Sequence, residues 1–202
     1  MTQVPATPVT TLLLLNWNGW EDTIECLESL QHSTYPATEI VVLDNGSSDD
    51  SINKITTWAA NQTEPVAVVR YSRKQAESGG DEIIEGLTFA ELPYHRRLIL
   101  VDNGENLGFA AGNNVGIRFA IQRKRDYIFL LNNDTVVQQD AIQNLVSLLQ
   151  KRPELVGVTG RIRYYDSDRI WNCGGRLTWY GSRKYYFHGK RIAQTPQNGW
   201  MQ

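Results

Sequence analysis

Short, continuously apolar runs that alternate with amphipathic helical segments constrain the fold of this chain most strongly. Four of these runs are the segments 10–15, 40–43, 98–101 and 127–131. Each is too short for a helix and lacks the apolar–polar alternation of a strand with one wet face, so each predicts a strand buried on both faces. Helical spacing of the apolar residues between the runs predicts helices on both faces of a parallel sheet. The expected fold class is therefore α/β, with an open, mainly parallel, Rossmann-like sheet.

Two further apolar runs, 66–69 and 155–158, predict additional strands. The segment 72–97 between the α/β units is polar, mixed in charge and marked by Gly79-Gly80. Glycine pairs and polar residues of both charges are typical of irregular connections. We therefore expect a mobile insertion at 72–97.

The pattern changes beyond residue 161 to short aromatic-rich runs separated by glycines, which predicts hairpins. The chain has 202 residues, a length that one domain can reach. We therefore expect a single domain over residues 1–202, with an α/β core at 10–160 and a small, incomplete β-rich region at 161–202.

The overall charge and the cysteine content exclude several classes of protein. With 20 Lys and Arg against 22 Asp and Glu, the net charge of −2 provides no basic field for a nucleic acid or an anionic membrane. The two cysteines, Cys26 and Cys173, are too few for a disulfide scaffold or a four-cysteine zinc site. No segment resembles a secretion signal, and no apolar run approaches the ~20 residues of a membrane span. The expected location is the cytoplasm.

Polar residues follow each of the four buried strands at its carboxyl end. They are Asn16-Trp17-Asn18, Asp44-Asn45-Gly46, Asn103–Asn106 and Asn132-Asn133-Asp134. Right-handed crossovers place the carboxyl ends of parallel strands at one edge of the sheet, where open sheets of this kind bind ligands. The sequence therefore predicts one polar site at this edge.

Each polar cluster also has an explanation that needs no ligand. Asp44-Asn45-Gly46 fits an Asx-turn as well as it fits a binding loop. The loop 106–113 lets a backbone approach a ligand, but it matches neither the dinucleotide fingerprint nor the Walker pattern and also fits an ordinary turn. For Asp134, a divalent cation with phosphate ligands is slightly favoured over a role in capping a turn. The aromatic residues near the C-terminus are expected to be packing residues, with an acceptor-binding wall as the less favoured alternative.

Four motifs in order resemble the signature of family 2 glycosyltransferases, and most of all its rhamnosyltransferase-like branch. They are Leu-Asn-Trp-Asn-Gly at 15–19, Val-Val-Leu-Asp-Asn-Gly-Ser-Ser-Asp at 41–49, Asn-Leu-Gly-Phe-Ala-Ala-Gly-Asn-Asn-Val-Gly-Ile at 106–117, and Phe-Leu-Leu-Asn-Asn-Asp-Thr at 129–135. The match covers roughly residues 10–180. It implies the nucleotide-binding α/β fold termed GT-A and inverting transfer of a sugar from a nucleoside diphosphate.

The resemblance also implies roles for individual residues. Nucleotide-sugar binding falls to Asn16, Trp17, Asn18, Asp44, Asn45, Gly46, Asn106, Gly108, Gly112, Asn113, Asn132 and Asn133. Asn132-Asn133-Asp134 occupies the place of the family's Asp-x-Asp motif, so Asp134 is expected to hold Mg²⁺ or Mn²⁺ on the donor diphosphate. An asparagine at the first position leaves one carboxylate where the strict motif has two, which implies weaker metal affinity.

The implied function is transfer of a sugar, with rhamnose as one candidate, to a saccharide or lipid-linked acceptor in polysaccharide or cell-envelope glycan synthesis. The implied location is the cytoplasm, with peripheral association at the inner face of the cell membrane allowed. The family's catalytic base is an Asp well downstream of the metal motif, and none is found here because Asp166 and Asp168 come too early. The sequence is therefore expected to be truncated at its C-terminus. The alternative is a non-catalytic nucleotide-sugar-binding module that lacks the base.

Overall fold

Five parallel strands form one sheet in the computed structural model, which describes residues 7–195. The strands are β1 (Thr10–Asn16), β2 (Thr38–Asp44), β3 (Ala67–Ser72), β4 (Arg97–Asp102) and β5 (Tyr127–Asn132). The helices are α1 (Trp20–Gln31), α2 (Ser51–Ala60), α3 (Arg73–Glu77), α4 (Glu82–Thr88), α5 (Gly108–Gln122) and α6 (Ala141–Lys151). The predicted α/β class with a mainly parallel sheet is confirmed.

The sheet order β3-β4-β2-β1-β5 places the most apolar strands at its centre. The side chains of β2 are buried throughout, as are all but one of those of β1. Helix α5 packs closely on these strands, because a Cβ atom on Gly116 would lie 2.7 Å from Leu13 Cδ2. A glycine at this position therefore lets the helix backbone approach the sheet.

The prediction that β5 is buried on both faces is wrong. This strand is at the edge of the sheet and pairs only with β1 within residues 7–195. Ile128 and Leu130 are exposed, and the side chains of the strand alternate in burial. The predicted strand at 155–158 is also absent from the described chain, and Val156 there is fully exposed. An apolar run forms a strand only where a neighbouring strand offers hydrogen bonds, and within residues 7–195 no strand pairs with residues 155–158.

The segment 72–97, expected to be a mobile insertion, contains α3, α4 and a short 3-10 turn at Tyr94–Arg96. Its inner side is packed, because Ala76 and Phe89 join the apolar core. Glu85 of α4 is buried as well and makes an ion pair with Arg123 at the end of α5. Local structure in this segment therefore depends on contacts that are distant in sequence.

The chain divides into two compact units, one ending at Ile142 and the other beginning at Gln143. The second unit contains two antiparallel pairs of short strands, β6 (Ile162–Arg163) with β7 (Ile170–Asn172) and β8 (Gly175–Leu177) with β9 (Arg183–Tyr185). These pairs confirm the small β-rich region predicted after residue 161. Within residues 7–195, no helix is both long and apolar enough to cross a bilayer.

Candidate functional site

The strand register aligns the polar residues that follow the central strands. Asn16 of β1 lies opposite Asp44 of β2, and Asp44 lies opposite Asp102 of β4. On the other side of β1, Leu15 lies opposite Asn132 of β5. The structure therefore brings the polar clusters predicted from the sequence to one edge of the sheet.

A buried hydrogen-bond network joins the ends of β1 and β2. The Asn16 amide donates to Asp44 Oδ2 at 2.7 Å and to Ser47 Oγ at 3.1 Å. Asp44 Oδ1 accepts from the Ser47 backbone amide at 2.9 Å. The backbone amide of Asn18 donates to Ser47 Oγ at 2.9 Å. Asp44 is only 1% exposed, so in this structure its carboxylate shapes the two loops from beneath.

Asn45 connects the end of β2 to the loop that precedes α5. Its side-chain amide donates to Asn106 Oδ1 at 2.8 Å, and its Oδ1 accepts from the Leu107 backbone amide and from Asn103 Nδ2, both at 3.2 Å. Gly46 follows with a φ of +73°, and a Cβ there would meet the Glu105 backbone at 2.7 Å. These contacts hold the loop 103–108 against the end of β2, with the start of α5 exposed to solvent.

The loop after β5 is attached to the first helix. Asn133 Nδ2 donates to Thr23 Oγ1 at 3.0 Å and to the Gly19 carbonyl at 3.3 Å. Thr23 Oγ1 itself lies 2.9 Å from Asn16 Oδ1. The loops after β1, β2 and β5 thus belong to one network of amides and hydroxyls.

The carboxylate of Asp134 differs from that of Asp44 because it is exposed. Among residues 7–195, no amide or side chain donates a hydrogen bond to it. No group of three or more His, Cys, Asp or Glu residues in this part of the chain could hold a metal ion. A divalent cation at Asp134 would therefore take most of its ligands from water and from phosphate oxygens. Mg²⁺ bound with a substrate phosphate has that kind of ligand set, so the residues present fit such an ion.

Burial separates the predicted site residues into two groups. The buried group lies beneath the edge and orients the loops, and it consists of Asn16, Asp44, Asn45, Gly112 and Asn113. The exposed group can meet a ligand, and it consists of Trp17, Asn18, Asn106, Gly108, Asn132 and Asp134. Gly46 and Asn133 are intermediate. Two residues that connect the loops, Ser47 and Thr23, were not predicted from the sequence. Ser47 stands inside a recognised motif, whereas nothing in the sequence marks Thr23.

Cys26 lies in α1 close enough to Asp134 for their charges to interact. Burial raises the pKa of its thiol to about 12, and the Asp134 carboxylate adds to the rise. The thiol is fully buried. A thiol that is both buried and held protonated is neither accessible nor reactive, so the structure gives Cys26 a packing role.

We therefore expect the two cysteines to differ in reactivity. A thiol reagent at pH 8 should modify one thiol quickly, at Cys173, which is half-buried. The second thiol should react only after unfolding, because Cys26 is both inaccessible and protonated. The absorbance of the chromophore that the reagent releases, read before and after adding denaturant, gives the number of thiols that react in each state. Rapid modification of a Cys173→Ser variant in the native state would contradict it.

A comparison with known families decides where this chain belongs. The sequence profile of the family described as Glycosyl transferase family 2 matches residues 11–94 and 77–198. The chain belongs to glycosyl transferase family 2. The resemblance inferred from the four motifs is thereby confirmed at the level of the family.

The curated relatives of this glycosyl transferase family 2 chain include enzymes of staphylococci. It is 27% identical over 160 residues to the poly-beta-1,6-N-acetyl-D-glucosamine synthase of Staphylococcus aureus strain COL. It is 25% identical over 158 residues to the protein of the same name in Staphylococcus epidermidis strain ATCC 35984. These matches cover 79% and 78% of this chain but only 30% and 29% of the relatives. The chain therefore spans about a third of the length of the curated relatives it matches.

A solved structure supports the assignment of the fold of this family 2 chain. The mannosyltransferase of Pyrobaculum calidifontis, solved in complex with GDP-Man and Mn²⁺, is similar with a TM-score of 0.51 and 20% identity. The similarity covers 72% of this chain and 33% of the mannosyltransferase. It supports the GT-A type of α/β fold expected from the motifs.

Proposed function

We propose that this chain is the donor-binding part of an inverting glycosyltransferase that uses a nucleoside-diphosphate sugar and Mg²⁺ or Mn²⁺. The observation that carries the proposal is the convergence of the loops after β1, β2, β4 and β5 at one edge of the sheet. Buried amides and a buried carboxylate hold these loops, while an exposed carboxylate, Asp134, remains free of hydrogen bonds within residues 7–195. An edge of this kind in an open α/β sheet is where nucleotides bind.

Different exposed residues would contact different parts of the nucleoside-diphosphate sugar. Trp17 and Asn18 lie on the loop after β1 and would contact the base or ribose. Ser47, held by Asp44, accepts the bond that orients Asn18. The amides of the first turn of α5 that follow Gly108 would contact the phosphates, because the start of a helix presents free N–H groups and a positive dipole end. The Gly108 amide itself donates to Asn106 Oδ1 at 2.8 Å and fixes the turn before the helix. Asn45 keeps that helix start in place through its bonds to Asn106 and Leu107.

Asp134 would hold the metal ion against the diphosphate. When bound, the ion supplies positive charge where the leaving nucleoside diphosphate becomes negative. Asn132, one strand position before the loop and exposed, would complete the donor contacts on this side. The proposed donor site thus needs no basic surface, because the metal ion and the backbone amides would balance the negative charge of the diphosphate.

The acceptor we propose is a saccharide or lipid-linked saccharide of a cell-envelope polysaccharide, handled on the cytoplasmic side. The name of the curated relatives supports a polysaccharide product, because it describes synthesis of poly-beta-1,6-N-acetyl-D-glucosamine. The sugar remains one of several candidates, among them N-acetylglucosamine, mannose and rhamnose. We assign no residue of this chain as the catalytic base. A non-catalytic nucleotide-sugar-binding module is the second candidate function, because the residues held at the edge of the sheet account for donor binding.

Nucleoside diphosphates should raise the melting temperature of the protein when Mn²⁺ is present. UDP, GDP and dTDP are to be compared by thermal shift with and without the metal, and the preferred base then narrows the sugar. At a concentration 100 times its Kd, a ligand stabilises by about 2.7 kcal/mol. Asp134→Asn should remove the metal-dependent part of the shift, because a neutral amide holds a divalent cation poorly. The proposal is wrong if none of the three nucleotides stabilises the protein under either condition.

The matched control for Asp134→Asn is Asp126→Asn. Asp126 is at the opposite end of the same strand, where its carboxylate accepts a bond from the Val9 amide. This variant should keep the full metal-dependent shift. Release of free sugar or transfer to an acceptor then distinguishes the two candidate functions, since a binding module gives the thermal shift without any turnover.

A further inference from the structure

The charges of this chain are divided unevenly along its length. Residues 1–150 contain 10 Lys and Arg against 19 Asp and Glu, whereas residues 151–202 contain 10 against 3. All the charged residues of the second part lie between positions 151 and 191, within the described chain. The net charge of −2 therefore conceals a basic C-terminal part, and the sequence-based exclusion of an anionic membrane does not apply to it.

A hairpin formed by β8 and β9 concentrates this charge. Arg176 lies opposite Lys184 in the strand register, and Leu177 lies opposite Arg183. Within residues 7–195, no carboxylate makes an ion pair with any of these three basic side chains, and all three are exposed. Like charges directly opposite each other destabilise a strand pair. An anionic surface would relieve that repulsion.

The tip of the hairpin projects aromatic and aliphatic side chains into solvent. Trp179 is 96% exposed and Leu177 is 73% exposed. The rings of Trp179 and Tyr180 make an edge-to-face contact with their centroids 5.5 Å apart. Thr178 and Ser182 close the tip, with the Thr178 amide donating to the Ser182 carbonyl at 2.8 Å. The turn therefore has a defined structure that holds both rings outward.

We propose that the β8–β9 hairpin, residues 175–185, docks this protein on the surface of an anionic lipid bilayer. Trp and Tyr prefer the boundary between headgroups and acyl chains. Lys and Arg near that boundary are attracted by anionic headgroups. The hairpin carries both kinds of side chain at one end of a two-stranded ribbon. Its exposed Leu177 favours a bilayer over an anionic polysaccharide, because only the bilayer removes an aliphatic side chain from water.

This inference deepens the proposed function, because a lipid-linked acceptor lies at a membrane. It does not need the donor site to be correct. Vesicle binding is measured without nucleotide, metal or acceptor, and nucleotide binding is measured without lipid. An absence of vesicle binding can therefore be distinguished from an absence of nucleotide binding.

The test is co-sedimentation of the intact chain with vesicles. Vesicles of phosphatidylcholine mixed with the anionic lipid phosphatidylglycerol are compared with vesicles of phosphatidylcholine alone. We expect binding to the anionic vesicles, weak binding to the neutral ones, and weakening by salt because the Debye length shortens. Tryptophan fluorescence should shift to the blue on binding, and Trp179→Phe should remove most of that shift.

Two double variants separate the contributions of charge and of the rings. Arg183→Gln with Lys184→Gln should weaken binding about 25-fold, at about fivefold for each charge removed. Trp179→Ser with Tyr180→Ser should weaken it about tenfold or more. The matched control is Leu87→Ser with Arg118→Gln, which removes a 79% exposed leucine and an exposed arginine from the acidic first unit. That control should bind as the parent does, and circular dichroism should show that all variants are folded.

Three results would overturn the proposal. The first is equal binding to neutral and anionic vesicles. The second is loss of binding in the control variant to the same extent as in the hairpin variants. The third is binding of a soluble anionic polysaccharide that depends on the hairpin residues while the anionic vesicles are not bound, which would assign the surface to a polymer.

Discussion

Replacement of Arg123 with methionine should lower the free energy of unfolding by about 3–5 kcal/mol, since it leaves buried charge without its partner. The Arg123 guanidinium donates to Glu85 through two bonds of 2.6 and 2.7 Å and to Glu39 at 2.9 Å. All three side chains are 8% exposed. In the variant Glu39 keeps Arg125 as a partner. Among the described residues 7–195, Glu85 keeps only the hydrogen bond from the Tyr71 hydroxyl.

A second consequence concerns the segment 72–97. Arg123 is the cation that ties α4 to the end of α5, so its loss should release α4 and expose this segment to proteolysis. Urea unfolding gives the stability, and limited digestion gives the position of the first cleavage. Arg118→Met is the matched control, because Arg118 in α5 pairs with Glu77 in an exposed ion pair of 2.9 Å. That variant should lose less than about 1 kcal/mol. Equal losses in the two variants would show that burial does not govern this network.

Asp44→Ala should also be strongly destabilising, and it should weaken nucleotide binding with or without metal. Removal of the carboxylate takes away the acceptor of the Ser47 backbone amide. The side-chain amide of Asn16 then keeps one acceptor within residues 7–195, Ser47 Oγ. A buried donor without an acceptor costs about 1–3 kcal/mol, so we expect a total loss of about 2–4 kcal/mol. The loop that carries Asn18 should loosen in consequence, since Asn18 is bonded to Ser47.

The matched control for Asp44→Ala is Asp102→Ala, on the neighbouring strand of the sheet. Asp102 lies opposite Asp44 in the register of β2 and β4 but is exposed, with its Oδ1 accepting from the Gly104 amide. Asp102→Ala should lose about 1 kcal/mol or less and leave nucleotide binding almost unchanged. Isothermal titration of each variant, performed below its melting temperature, separates the effect on binding from the effect on stability. If both variants bind nucleotide as the parent does, Asp44 is only a turn residue.

The central strands could be predicted because their environment is uniform. β1, β2 and β4 have neighbours on both edges and helices on both faces, so an unbroken apolar run is sufficient to identify them. The edge strand β5 has a similar sequence but a different environment, and its burial was predicted wrongly.

In the segment 72–97, by contrast, burial was missed where the structure has it. Its polar sequence gives no sign that Glu85 is buried, because the compensating charge on Arg123 is 38 residues away.

The position of the site could be predicted from the sequence, but the separate roles of its buried and exposed residues could not. Asx-rich motifs at strand ends identify the edge, because parallel strands bring their carboxyl ends together whatever the details of packing. Which of these residues meet solvent depends on the loops that cover them. Asp44 and Asp134 are both acidic residues near strand ends, yet one is buried beneath Ser47 and the other is exposed.

The sequence by itself determined the five strands of the sheet and the helices α1, α2, α5 and α6, the α/β class, the family and the edge of the sheet where polar residues gather. These follow from local periodicity and from short motifs, which do not need contacts between distant residues. Only the tertiary structure decided which carboxylates are buried, how Arg123 holds α4 to the core, and that unpaired basic and aromatic residues share one hairpin. Burial and electrostatic pairing are properties of groups brought together from distant positions, so a sum over the chain, such as a net charge of −2, cannot reveal them.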